Sequence, residues 1–157
     1  MEGVALRGAS VGAEQRFTGK ERDAVLSLVR IAQELGADAV TASNTFPVGS
    51  RHMATGRGGL SGRPVFQDTV RIVGDIHRAT EGGLPINACG GIFTADDARA
   101  CLHAGATTVQ VYTGLIYQGP RIVRNLTSGL LESPEVLPVG RSQPGMRPSP
   151  RRVPVDR

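Results

Sequence analysis

The chain has 157 residues, of which 39% are hydrophobic and 21 are glycine, a composition typical of a globular protein with many tight turns and not of a coiled coil. It contains no run of about 18 apolar residues that could span a bilayer and no secretory signal at its start, so we expect a cytoplasmic protein. The net charge of +4 raises the question of an anionic partner such as nucleic acid.

Most of that charge lies in residues 133–157, where five arginines outnumber two acidic residues. Six prolines in the same segment block helix and sheet, which predicts a disordered Pro/Arg-rich tail. No aromatic residue stands between the arginines, so the segment lacks a stacking platform for bases. We therefore expect no nucleic-acid partner, and a tether to nucleic acid or acidic lipid is the weaker interpretation.

The two cysteines, Cys89 and Cys101, do not stand at the spacing of metal ligands. We expect both to be core thiols, and we predict no metal site.

The first predicted helix begins with a capping box formed by Thr18 and Glu21 and ends before Gly36. Its predicted buried stripe consists of Val25, Leu28, Val29, Ala32 and Leu35. A short strand at residues 37–42 follows. Residues 43–64 are predicted to be a long glycine-rich loop, of the kind that usually serves a ligand.

The second half of the chain continues the alternation of predicted helices and strands. The spacing of Phe66, Val70, Val73 and Ile76 predicts a second helix, which is followed by a strand at residues 84–89. A third helix capped at residues 94–97 leads to a strand at residues 107–112, after which Thr113-Gly114 is predicted to turn the chain. Pro120 opens a last helix that runs through Leu130.

This order predicts an α/β fold with a parallel sheet, either part of a (β/α)8 barrel or a small doubly wound sheet. A complete barrel typically needs ~250 residues, so this chain is expected to form only part of one. The predicted domain is residues 18–132, preceded by a poorly defined segment at residues 1–17.

Three windows follow the predicted strand ends, at residues 43–45, 90–92 and 112–114. Loops at the carboxyl ends of parallel strands form the binding site in such folds. Glycine in the last two windows lets backbone N–H groups approach an anion. Either window alone is more often a simple turn. Together they make a phosphate-bearing ligand about as good an interpretation as a turn, without indicating which ligand.

The motifs around these windows resemble the C-terminal part of class 2 dihydroorotate dehydrogenases. The resemblance covers about residues 18–131 and depends on the G-G-L-S-G-R-P segment at residues 58–64 and on the A-G-A…V-Q-V-Y-T-G…G-P pattern at residues 104–120. It implies a partial TIM barrel of about the last three βα units plus a preceding helix. It also implies oxidation of dihydroorotate to orotate in pyrimidine biosynthesis, with FMN as cofactor, quinone as electron acceptor and a location in the cytoplasm or at the periphery of the inner membrane.

Carried over position by position, the resemblance implies that Asn44 and Thr45 bind the substrate. The residues that it implies for FMN are Ser43, Gly62, Gly90, Gly91, Tyr112, Thr113 and Gly114. The chemistry agrees, because an amide such as that of Asn44 offers a donor and an acceptor to a pyrimidine edge. For Arg63 we favour a solvated loop charge over a phosphate clamp.

Some features of the family have no match here. The family's serine or cysteine base and its substrate-binding asparagines belong to the N-terminal half, so no catalytic residue is assigned and this fragment is expected to be inactive alone. Lys20 lies in a helix cap and is not assigned to the family's flavin-contacting lysine. The unfamiliar loop at residues 45–48 leaves open a related pyrimidine or another unsaturated acid as substrate.

Three other interpretations remain open: a non-catalytic phosphate- or flavin-binding half-barrel, a related flavin-dependent oxidoreductase with a different substrate, and a truncated reading frame without a stable fold. A three-stranded partial barrel exposes two sheet edges and, we expect, an inner face rich in Val, Ala and Ile. This predicts self-association or pairing with the missing N-terminal half.

Overall fold

The computed structural model describes residues 19–43, 45–49 and 54–132. Several predictions therefore lie outside the described residues: the N-terminal segment 1–17, the cap at Thr18, the substrate contact at Asn44 and the tail at residues 133–157. None of the helices within the described ranges has the length and apolar character needed to cross a membrane.

Helices and strands follow one another through the described residues. The helices are α1 (Gly19–Glu34), α2 (Phe66–Ala79), α3 (Ala95–His103), α4 (Thr113–Gln118) and α5 (Arg121–Leu131). The strands are β1 (Val40–Ala42), β2 (Phe46–Gly49), β3 (Arg57–Leu60), β4 (Ile86–Cys89) and β5 (Thr108–Gln110). All four predicted helices and all three predicted strands are present, and a 3₁₀ turn at Arg63–Val65 leads into α2.

β1, β4 and β5 form one parallel sheet in that order, with Ala42 opposite Ala88 and Ala88 opposite Val109. Side chains from α1, α2, α3 and α5 join one hydrophobic core with the strands, so these helices cover the same face of the sheet. A doubly wound sheet carries helices on both faces. The one-sided arrangement is that of consecutive units of a (β/α) barrel, in agreement with the predicted fold class.

The two faces of this sheet differ sharply in polarity. Ala42, Ile86 and Ala88 face the helices and are almost fully buried. The other face carries Thr41, Asn87, Thr108 and Gln110. The expected inner face rich in Val, Ala and Ile is therefore wrong, because those residues alternate toward the helices while the polar residues take the open side.

The region predicted as one long loop contains an antiparallel hairpin. β2 pairs with β3, with Phe46 opposite Leu60 and Val48 opposite Gly58. A second element was also missed, since Thr113-Gly114 does not simply turn the chain but begins the short helix α4.

The predicted stripe of α1 is only partly covered. Val29 is buried, but Leu28 and Leu35 are 66% and 83% exposed. Among the described helices α1 packs chiefly on α2, which is too narrow a contact to cover the whole stripe. Arg22 fastens the two helices together, donating from Nη2 to Oδ1 of the buried Asp75 at 2.6 Å.

The cap of α3 forms as predicted. Thr94 Oγ1 accepts from the N–H of Asp97, and the Asp97 carboxylate accepts from the N–H of Thr94. Cys101 on this helix is fully buried, as expected. Burial, with a smaller contribution from the charge of Asp97, raises the pKa of Cys101 to about 12, so the thiol stays protonated.

Candidate functional site

A cavity of about 290 Å³ opens at the carboxyl ends of β1, β4 and β5. It is lined by Ser43, Thr45, Ser61, Gly62, Val65, Cys89, Gly90, Gly91, Ile92, Gln110, Val111, Tyr112, Thr113 and Gly114. Ligand cavities typically range over ~300–1,000 Å³, so this one suits part of a nucleotide-sized molecule.

All the predicted site residues except Asn44 lie on this one cavity. They come from three separate strand ends and from the segment that follows β3. Asn44 lies outside the described residues. The cavity brings the predicted positions together, while the part that each plays toward a ligand stays a prediction.

Gly91 and Gly62 bring the backbone close to neighbouring elements. Gly91 has a φ of +72°, and a Cβ there would lie 2.8 Å from the backbone N of Phe66. Only glycine fits this combination of left-handed backbone and close approach. A Cβ on Gly62 would lie 3.2 Å from Cγ2 of Thr113, so the segment after β3 and the start of α4 meet across the cavity wall.

Ser43 anchors the end of β1. Its N–H donates to the carbonyl of Cys89 at 2.8 Å, which extends the pairing of β1 with β4 by one residue. Its hydroxyl lies 3.2 Å from Oγ1 of Thr69 on α2. Thr45, two residues on, lines the cavity and also a second, apolar cavity described below.

Next to the lining residues Gly62 and Ile92 lies a group of four side chains in contact with one another, which we call the rim cluster: Arg63, Phe93, Asp97 and Tyr117. Arg63 donates to the Asp97 carboxylate and stacks 5.4 Å from the centroid of the Phe93 ring, which in turn contacts the ring of Tyr117. Arg63 is therefore a half-exposed loop charge, close to the solvated charge that we expected, but it is paired with Asp97 and does not line the cavity. Its guanidinium is neutralised by Asp97 because the turn into α2 lies beside the cap of α3.

Asp97 is the acidic member of the rim cluster. Its Oδ2 accepts from the N–H groups of Phe93 and Thr94, both at 2.9 Å. Burial alone would raise the pKa of Asp97, but the hydrogen bonds from Arg63 and from these backbone groups lower it overall. The carboxylate is thus ionised at neutral pH.

Six lining residues were not assigned to the site from the sequence: Ser61, Val65, Cys89, Ile92, Gln110 and Val111. The expectation of a core thiol is wrong for Cys89, which is only half-buried and lines the cavity. Cys89 and Gln110 stand opposite each other at the ends of β4 and β5. The period-two alternation back from Tyr112 places Gln110 on the same face of the strand, and this signal was available in the sequence. Burial raises the pKa of Cys89, so its thiol is not a ready nucleophile.

The donor set suits an anion that is held without a cation. Gly90, Gly91, Thr113 and Gly114 line the cavity, and no side chain caps the first turn of α4. Thr113 adds a hydroxyl, and the described lining residues include no lysine or arginine. Phosphate groups are commonly bound by such glycine-flanked amides.

A second cavity, of about 460 Å³, lies between α1, β1 and β2. Its lining is mainly apolar and includes Leu28, Val29, Val40 and Phe46. It borders the edge of β1 that pairs with no other strand among the described residues. We call this second cavity the α1 groove.

Known proteins resemble this chain in sequence. A dihydroorotate dehydrogenase (quinone) of Thermosynechococcus vestitus is 49% identical over 98 residues, which cover 59% of this chain and 27% of the relative. One of Synechococcus sp. (strain JA-3-3Ab) is 40% identical over 137 residues, covering 76% of this chain and 36% of the relative. The chain thus spans about a third of the length of these relatives.

Solved structures give the same result. The dihydroorotate dehydrogenase of Eimeria tenella in complex with ferulenol has a TM-score of 0.62 and 34% identity, over 74% of this chain and 31% of the other. The ligand-free form of that enzyme gives a TM-score of 0.64 at the same identity. These similarities confirm the partial-barrel fold.

The dihydroorotate dehydrogenase family model matches residues 21–133, and the chain belongs to that family.

Proposed function

We propose that this chain forms the phosphate-binding part of a flavin mononucleotide site in a dihydroorotate dehydrogenase. The observation that carries the proposal is the convergence of Gly62, Gly91 and Thr113 on one cavity. The family match supports a flavin as the ligand, since it covers the segments that contribute these residues.

The phosphate is proposed to lie between Gly91 and the first turn of α4. At Gly91 a side chain would collide with Phe66, so the backbone there stays bare toward the cavity. Thr113 offers its hydroxyl and N–H, and Tyr112 and Gly114 flank it on the lining. Because Arg63 is already paired with Asp97, we assign the binding of the phosphate to neutral donors.

Ser43 and Gly90 complete the proposed flavin contacts at the ends of β1 and β4. The substrate contacts are proposed at Thr45 and at Asn44, which is outside the described residues. Both follow β1, so the substrate would lie beside the flavin at the same end of the sheet.

The reaction proposed for the site is oxidation of dihydroorotate to orotate in pyrimidine biosynthesis, in the cytoplasm, with a quinone as the final electron acceptor. When bound, flavin mononucleotide supplies the acceptor for the substrate's hydride. A base must take the proton from the neighbouring carbon, and we assign that role to no residue of this chain. The chain's own part is to hold cofactor and substrate in register.

The test is binding of FMN, riboflavin and inorganic phosphate to the purified chain, measured by calorimetry and by flavin absorbance. We expect FMN to bind more tightly than riboflavin, and phosphate to compete with FMN. Thr113→Glu places a negative charge at the proposed phosphate position and should weaken FMN binding by at least about tenfold. Glutamate is well tolerated at the first position of a helix, so α4 should keep its fold.

Thr127→Glu is the matched control, because Thr127 is exposed on α5 and does not line the cavity. This variant should bind FMN like the wild type. Equal weakening by both variants would show that the phosphate site lies elsewhere. A chain that binds phosphate but no flavin would instead favour a non-catalytic phosphate-binding module.

A further inference from the structure

The polar face of the sheet contains a chain of oriented hydrogen bonds that ends at the cavity. Thr108 Oγ1 donates to Oδ1 of Asn87 at 2.9 Å, and Nδ2 of Asn87 donates to Oε1 of Gln110 at 2.8 Å. A longer contact, 3.4 Å, joins Nδ2 of Asn87 to Oγ1 of Thr41. The hydrogen bond that Oε1 accepts from Asn87 therefore fixes the orientation of the Gln110 side-chain amide.

This polar row is unusual for its place in the fold. The inward positions of barrel strands are usually filled by bulky branched residues such as Val, Ile and Leu. Here Thr41, Asn87 and Thr108 occupy three neighbouring inward positions on three strands. This face is open among the described residues, with Thr41 and Thr108 exposed, so the polar side chains carry no burial cost there, and their hydrogen bonds lead to Gln110.

Gln110 is the one member of the row that lines the cavity. Its Oε1 is used by Asn87, and its Nε2 has no hydrogen-bond partner within the described part of the chain. Nε2 can only donate hydrogen bonds. A ligand group that it contacts in the cavity must therefore carry an acceptor oxygen.

We propose that Gln110 contacts the bound ligand through Nε2 and that Asn87 is the positioning residue that fixes its amide in this orientation. The inference rests on the proposed flavin site and extends it to the part of the ligand that carries no phosphate. Three residues of chain span at most about 10 Å, so Gln110 lies within the length of a flavin nucleotide from Thr113. The contacted group is a hydroxyl or carbonyl oxygen.

The test measures binding of FMN, riboflavin and inorganic phosphate by Gln110→Met, Asn87→Leu and the double variant. Gln110→Met keeps the length of the side chain and removes the donor. We expect it to weaken FMN and riboflavin about three- to tenfold and to leave phosphate unchanged. Asn87→Leu should weaken both flavins in the same direction by a smaller factor, because the amide of Gln110 is then free to rotate.

The double variant separates positioning from a general structural effect. If Asn87 acts through Gln110, the double variant binds FMN no more weakly than Gln110→Met alone. Gln67→Met is the matched control, because Gln67 is exposed on α2 and lines neither cavity, and it should leave all affinities unchanged. Should Asn87→Leu fold poorly, Thr108→Val loosens the other end of the same chain of hydrogen bonds and should show a smaller loss.

The visible absorbance of the bound flavin distinguishes the two acceptors. A contact to a ring carbonyl shifts the absorbance band between wild type and Gln110→Met, whereas a contact to a sugar-alcohol hydroxyl leaves it in place. Unchanged flavin affinity in Gln110→Met, or an equal loss for phosphate, would overturn the inference while the proposed function stands. A wild-type chain that binds no flavin would instead overturn the proposed function, and this inference with it.

Discussion

Arg63 reaches from the turn before α2 to Asp97 in the cap of α3, with its Nη1 2.5 Å from Oδ2 of that carboxylate. The same carboxylate accepts from two backbone N–H groups at the start of α3. One side chain thus joins the loop that carries Gly62 to the loop that carries Gly91.

Loss of Asp97 should therefore cost more stability than loss of Arg63. Asp97→Ala removes a helix cap and the ion pair together, and we expect a loss of about 1–2 kcal/mol in the free energy of unfolding. Arg63→Ala should cost about 0–1 kcal/mol, because its guanidinium is half exposed and screened by water. Urea unfolding measures both. Asp96→Ala, on the exposed side of the same turn, is the control, and a larger effect there than at Asp97 would contradict the assignment.

The stability should also depend on pH through Asp97. Its pKa is lowered in the folded state, so its contribution is present above the unfolded value of ~3.9 and is lost as the pH falls through the lower folded value. We expect the stabilities of wild type and Asp97→Asn to differ most at neutral pH and to become similar in acid. Thermal unfolding between neutral pH and pH of about 3 measures this, and a difference that grows in acid would show the opposite sign.

Gly91→Ala should disturb both the fold and the cavity. An alanine there combines a left-handed φ of +72° with a Cβ only 2.8 Å from backbone atoms of Phe66. The left-handed backbone alone costs about 1–3 kcal/mol. We expect a lower unfolding midpoint and loss of FMN binding. Gly49→Ala, where a Cβ meets nothing within 4 Å, should change neither, and a Gly91→Ala variant as stable as the wild type would show that the loop can yield.

The α1 groove should mediate self-association. Leu28 on α1 and Leu35 just after its end are exposed, and Leu28 lines this mainly apolar groove beside the edge of β1. We expect a second copy of the chain to cover it, giving a concentration-dependent mass in light scattering. Leu28→Glu combined with Leu35→Glu should restore the monomer. Val123→Glu, exposed on α5, should not, and a wild type that is monomeric at every concentration would contradict the prediction.

The sequence predicted the regular units of the fold well, because each combined a periodic apolar stripe with an end signal. α3 is an example: Thr94 and Asp97 form the predicted cap and Cys101 is buried as expected. The β2–β3 hairpin was missed because Pro47, Gly58 and Gly59 are poor strand formers, and only their pairing with each other makes them strands. α4 was missed because its six residues open with Thr-Gly, which resembles a turn.

The candidate site, too, was predicted only in part from the sequence. Positions with a motif, such as Gly91 and Thr113, were predicted and do line the cavity, whereas Gln110 was passed over although it lines the same cavity. No sequence pattern indicated which residue pairs with Arg63. Asp97 lies 34 positions away, and only the packing of α2 beside α3 brings the two together.

The row of Thr41, Asn87 and Thr108 constrains whatever lies over the open side of the sheet. An apolar surface packed against this row would bury amide and hydroxyl groups away from water, at a cost of roughly 1–3 kcal/mol for each group left without a hydrogen-bond partner. Any covering chain must therefore bring matching donors and acceptors or enclose ordered solvent. The interior of the completed barrel would then be wet at this level, and its closure would discriminate among partners by chemical match as well as by shape.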